Sequence, residues 1–150
     1  MSNTYTKIYI HYIFSTKHRR PLIKPEYEEK LWSYLGGIAQ KHHMIPTSIS
    51  GTTDHIHGLF IIPPTLSVAK GVQLLKGGSS KWMNDHHVVD RSFKWQKGYG
   101  AFSVSESRVP AVTKYIKNQK EHHRELSFKE EYLGFLKEYR IKYDKRYIFD

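Results

Sequence analysis

Two histidines, His55 and His57, flank Ile56. In an extended segment the two-residue period sends both imidazoles to one face and Ile56 to the other. Two ring nitrogens side by side suit a divalent cation, since neutral imidazole is the commonest protein metal ligand. With 10 His in 150 residues, a His-x-His pattern arises about 0.7 times by chance, so paired histidines satisfied in a core fit the pattern equally well. Tyr115 and Gln119 stand four apart in a helix-patterned segment, which puts them on one face, and Lys114 and Lys117 bring positive charge beside the phenol. A tyrosine can attack a phosphodiester, but its ordinary pKa is about 10. It therefore needs a route for its proton and a cation to absorb charge on the phosphate oxygens. Gln119 offers a carbonyl oxygen as a third ligand for that cation.

These side chains need elements to carry them. KIYIHYIFST alternates with period two, with Ile8, Ile10, Tyr12 and Phe14 on one face and Tyr9, His11 and Ile13 on the other, which predicts a central first strand. Pro25 and the acids that follow open a helix running to about His42. MIPTSIS and HIHGLFII are β-prone runs joined by SGTTD, an antiparallel hairpin. Ser67 caps a second helix through VAKGVQLLKGGSSKWMN, with Gly71, Gly77 and Gly78 against its regularity. YGAFSVS alternates as a fourth strand. A helix follows from Ser107 and Pro110 through VTKYIKNQKEHHREL, and Ser127 with Glu130 forms a capping-box pattern for a last one, FKEEYLGFLKEY. The order β, α, β, β, α, β predicts an α+β fold, a ferredoxin-like split βαβ domain. Its antiparallel sheet carries helices on one face, with two C-terminal helices added. The other sheet face is then expected to be free to bind.

Lys and Arg number 24 against 14 Asp and Glu, a formal net charge of +10, and such a surface attracts polyanions, nucleic acid first among them. Residues 1–25, 55–84 and 91–105 contain no acid, yet carry Lys7, Lys17, Arg19, Arg20, Lys24, Lys70, Lys76, Lys81, Arg91, Lys94 and Lys97. With 39% hydrophobic and 14% aromatic residues, wholesale disorder is excluded, and the absence of cysteine excludes disulfides and thiolate metal sites. The length fits one domain over 1–150. No signal-peptide pattern opens the chain and no apolar run of about 18 residues occurs, which reads as a cytoplasmic protein.

DHIHGLF, WQKGYGAFSVS and YIKNQKEHH together resemble the single-tyrosine transposases of small bacterial insertion sequences, the TnpA-type, IS200-like members of the HUH endonucleases. The resemblance runs from the opening strand and STKHRRP to FKEEYLGFL. It implies that His55 and His57 bind the metal, that Gln119 completes the coordination and that Tyr115 is the nucleophile that becomes joined to DNA. It also implies Mg²⁺ or Mn²⁺ as cofactor, single-stranded DNA with hairpin ends as substrate, and a homodimer in many members. In some members the tyrosine helix of one subunit completes the histidine site of the other; in a related branch the site is completed within one chain.

Lys17, Arg19 and Arg20 follow the first strand and are candidate phosphate contacts, as are Lys114 and Lys117. His11 shares a strand face with the site, or is satisfied by a neighbour. The pairs His42/His43, His86/His87 and His122/His123 diverge on any regular element and are not expected to bind metal, although His122 lies seven residues after Tyr115. Trp82, Trp95, Tyr99 and Phe102 are candidates for stacking on unpaired bases or for the core. Two other functions compete. One is a non-catalytic single-stranded nucleic-acid-binding module on a ferredoxin-like sheet, for which YGAFSV is the nearest motif. The other is a replication initiator or relaxase of the HUH superfamily.

Overall fold

β1 (Ile8–Ser15) alternates as the sequence predicts, with Ile10, Tyr12 and Phe14 on one side of the sheet and Tyr9, His11 and Ile13 on the other. This is a computed structural model, and it describes residues 3–86, 92–124 and 126–149. β2 (Ile45–Gly51) and β3 (His55–Ile62) form the expected hairpin, and β4 (Gly100–Val104) pairs with the far side of β1. The sheet is antiparallel in the order β2-β3-β1-β4, the ferredoxin-like order. No helix among the described residues is long and apolar enough to cross a membrane.

α1 (Glu28–Lys41) and α2 (Val68–Asp85) cover one face, where Leu31, Leu35, Val72 and Leu75 meet Tyr12, Phe14, Ile56 and Phe60. Pro25 starts a 3₁₀ turn over Pro25–Tyr27 rather than the α-helix itself, and His43, at φ 65°, ends the segment in a left-handed conformation. The Ser67 hydroxyl caps α2 by accepting from the Lys70 N–H. Gly71 serves packing: a Cβ there would stand 2.7 Å from the Tyr12 hydroxyl.

The second face is not free. After a 3₁₀ turn, α3 (Val109–Lys117), α4 (Gln119–His122) and α5 (Phe128–Glu138) lie over it. Ile116 packs on Tyr9, Leu59 and Val104, while Phe128, Tyr132 and Leu136 pack on Ile13 and Phe102. The helix expected from Ser107 through Leu126 breaks at Asn118, whose N–H bonds to both Lys114 and Tyr115 carbonyls. Ser127 and Glu130 form the capping box in full. The loop before β4 is pinned by Lys76, whose ammonium donates to the carbonyls of Gln96 (2.6 Å), Lys97 (3.1 Å) and Gly98 (3.0 Å). That removes Lys76 from the cations free to meet a phosphate.

Candidate active site

β3 performs the separation that the His-x-His spacing requires. Ile56 goes into the α1/α2 core, and His55 and His57 go, fully buried, under the C-terminal helices. α3 brings Tyr115 to the same place, α4 brings Gln119, and the turn after α4 brings His123. α5 contributes Glu131, which is 4% exposed. Donor atoms of His55, His57, His123 and Glu131 all lie within 4.8 Å of one another.

The proton positions follow from the partners. The His55 Nδ1 lies 2.7 Å from the Asp54 carboxylate, so Nδ1–H donates there and Nε2 is left with a lone pair. That lone pair faces Gln119 Oε1 at 3.1 Å, while the Gln119 amide nitrogen is directed at the Tyr115 carbonyl at 3.4 Å. In that tautomer the pair is two acceptors pointing at each other in a buried site, which repel unless a cation or a proton stands between them. His57 donates from Nε2–H to Glu131 Oε1 (2.9 Å), and its Nδ1 accepts from His11 Nε2–H (2.8 Å). His123 Nε2–H is shared between Gln119 Oε1 (3.2 Å) and Glu131 Oε1 (3.1 Å). The Tyr115 hydroxyl donates to the second oxygen of Glu131.

Burial sets much of the electrostatics. It lowers His57 to about 4 although Glu131 pulls the other way. Burial, followed by the charge of His57, puts His11 well below its usual value. Glu131 is the reverse case: burial would raise it, but hydrogen bonds from His123, His57 and Tyr115 hold the carboxyl far below the usual carboxylate range. His123 is raised, because Glu131 outweighs the effect of burial. Burial, reinforced by Glu131, pushes the Tyr115 phenol well above its ordinary value, so the resting hydroxyl keeps its proton. The site thus holds one carboxylate, three imidazoles, an amide oxygen and a protonated phenol.

Of the residues singled out from sequence, His55, His57, Tyr115 and Gln119 converge, and His11 stands behind His57. His123 and Glu131 were missed. The adjacent pair His122/His123 diverges as expected, yet His123 joins the cluster and His122 packs beside it. The His122 ring stacks on Tyr115 at 4.4 Å and 27°, leaving its Nε2 buried with no hydrogen bond, while His123 turns to the cluster. Glu131 carried no local signal beyond its place on an amphipathic helix. His87 and Arg91 lie outside the described residues. Lys17, Arg20, Lys114 and Lys117 are exposed, and the half-buried Arg19 lies over the Phe149 ring at 5.1 Å. Phe102 and Trp95 are core residues, and Trp82 stacks on Tyr34 at 5.1 Å. An open aromatic sheet face, which the binding-module reading requires, does not exist beneath α3 and α5.

A family model described as "Transposase IS200 like" matches residues 4–119. The transposase for insertion sequence element IS200 of Salmonella typhimurium is 30% identical over 117 residues, covering 74% of this chain and 76% of its own length. The Salmonella typhi protein of the same description matches equally. A crystal structure from Deinococcus radiodurans R1, described as that of a transposase, is similar with a TM-score of 0.64 at 25% identity, over 79% of this chain and 95% of that one. The REP-associated tyrosine transposase bound to a REP hairpin shares the fold with a TM-score of 0.61 at 12% identity, over 82% of this chain and 73% of that one.

Proposed function

Because the chain belongs to the IS200-like transposases, and so is a tyrosine transposase, we propose that it cuts and rejoins single-stranded DNA at this site with Tyr115 as the nucleophile. The observation that carries the reading is the Tyr115 hydroxyl beside a buried cluster of imidazole, amide and carboxylate donors. That donor set fits a divalent cation. The His55 and Gln119 acceptors face each other, and Asp54 orients His55 from behind, as a carboxylate does in metal–histidine pairs. His55, His57 and Gln119 would hold Mg²⁺ or Mn²⁺, His57 by carrying its ring proton on Nδ1 toward His11 instead of on Nε2, with His123 and Glu131 in reach. Bound there, the ion supplies Lewis-acid polarisation of the scissile phosphate.

The chain's own residues supply the rest. The Tyr115 oxygen bonds to phosphorus and the bond from phosphorus to the 3′ oxygen breaks, giving a 5′-phosphotyrosine and a free 3′-OH. The phenol loses a proton and the departing oxygen gains one, so one phosphodiester replaces another and the step is close to reversible. A different 3′-OH then attacks the phosphotyrosine and reseals the strand. Burial of His55, His57 and Gln119 under α3–α5 keeps water from the covalent intermediate. Lys17, Arg19, Arg20, Lys114 and Lys117 contact the DNA backbone, hairpin ends included. The protein acts in the cytoplasm as a single domain over 1–150, and as a homodimer.

The test is a labelled single strand from the flanks of the gene, incubated with Mg²⁺ or Mn²⁺ and run on a denaturing protein gel. A shifted labelled band that Tyr115→Phe abolishes is the expected result. Binding without any covalent band, across both metals, would instead favour a non-catalytic role.

A further inference from the structure

We propose that Glu131 is a positioning residue that ties the Tyr115 phenol to the histidines of its own chain; this rests on reading Tyr115 as the nucleophile. α5 lies beyond the region matched by the family model, so nothing in that match assigns Glu131 a role. The helix starts where the Ser127 capping box sets it. Phe128, Tyr132 and Leu136 dock on the sheet, and Glu131, on the same side, is driven into the cluster. A carboxylate buried this deeply is expensive unless each oxygen is used. Both are: Oε1 takes hydrogen bonds from His57 and His123, and Oε2 takes one from the Tyr115 hydroxyl.

The two oxygens of one rigid planar group therefore set the phenol oxygen relative to two imidazoles of the site. The Gln119 side chain and three neighbouring rings also restrain Tyr115. His122 stacks on it at 4.4 Å, and the His57 and Phe135 rings each meet it edge-on at 5.8 Å, without fixing its hydroxyl. The buried His122 Nε2 makes no hydrogen bond. Among the described residues, Glu131 is the group whose carboxylate takes hydrogen bonds from the phenol hydroxyl and from two histidines together, and placement of a nucleophile to within a fraction of an ångström is what its rate depends on.

Two measurements on the full chain test this. The first is a double-mutant cycle by urea unfolding without metal, combining Tyr115→Phe with Glu131→Ala. Tyr115→Phe is expected to lower the midpoint in the wild-type background and to leave it unchanged in Glu131→Ala. Equal effects in both backgrounds would overturn the contact, whatever Tyr115 does in catalysis. The second is single-turnover formation of the covalent DNA adduct with Mn²⁺. Glu131→Ala is expected to slow it by about tenfold or more at saturating DNA, with the DNA Kd held within about twofold. Glu131→Gln, which keeps an acceptor oxygen, should recover much of that rate. An unchanged rate in Glu131→Ala would overturn the role, and so would a loss in Glu131→Ala that Glu131→Gln does not relieve. If the wild-type protein forms no adduct while the cycle shows coupling, the nucleophile reading falls and the role with it.

Discussion

With the His55 ring neutral and its proton turned to Asp54, Gln119 Oε1 and His55 Nε2 face each other at 3.1 Å as two acceptors. A divalent cation relieves this repulsion. Mn²⁺ should accordingly raise the thermal midpoint of the wild-type protein. His55→Ala and His57→Ala should abolish both that rise and metal-dependent cleavage. Gln119→Ala should weaken metal-dependent turnover more than DNA binding, and Asp54→Asn should cost about 10- to 100-fold in metal affinity without removing a ligand. A Mn²⁺ titration followed by melting reads the metal-affinity expectations, and cleavage measured beside DNA binding reads the rest; an undiminished rise in His55→Ala would place the metal elsewhere.

Tyr115 reaches the histidines of its own chain through Glu131. Mixing Tyr115→Phe protein with His57→Ala protein should therefore restore no adduct formation, since each chain lacks one half of its own site. Recovery to roughly a quarter or more of wild-type adduct would mean that partners exchange tyrosine helices, the statistical expectation for random pairing.

Stability should fall on mild acidification. The His57 ring is held neutral down to about 4 in the fold, whereas its ordinary value is 6.5, and burial places His11 below its ordinary value as well. Between about 4 and 6.5 the unfolded chain binds more protons, so stability is full above that window and is lost as pH falls through it. For His57 alone the loss is on the order of 3 kcal/mol. His123, raised by Glu131, acts in the opposite sense: its contribution is complete below 6.5 and fades as pH rises past its folded value. Urea midpoints at pH 7 and pH 5 measure the net effect, and His57→Asn should flatten the slope.

DNA binding should be steeply salt-dependent. Each phosphate-neutralising cation contributes close to one unit to the slope of log affinity against log salt. Lys17→Ala, Arg20→Ala and Lys114→Ala should each lower that slope by about one while weakening unrelated sequences alike. A variant with an unchanged slope does not touch a phosphate.

Gly71→Ala separates helix propensity from packing. Propensity favours alanine by about 1 kcal/mol inside a helix. The added Cβ would stand 2.7 Å from the Tyr12 hydroxyl, which donates to the Val68 carbonyl, and overpacking of this kind costs about 1–3 kcal/mol. Net destabilisation in urea is expected.

Local pattern was enough for the strands, the hairpin and the capped helices, because each rests on short-range alternation, turn chemistry or a cap. It also sufficed for His55 with His57, whose spacing within one strand decides which face they share, whereas Tyr115 and Gln119 meet across a helix break that their spacing did not show. Composition alone pointed to a polyanionic partner. The tertiary structure decided what no local pattern carries. The break at Asn118 separates Gln119 from the tyrosine helix and turns His122 onto the phenol and His123 into the cluster. Likewise, the docking of α5 over the second sheet face buries that face and makes Glu131 a partner of His57, 74 residues earlier in the chain. Contacts between elements depend on which apolar surfaces cover each other, and a carboxylate on the buried side of a helix looks no different in sequence from one on the solvated side.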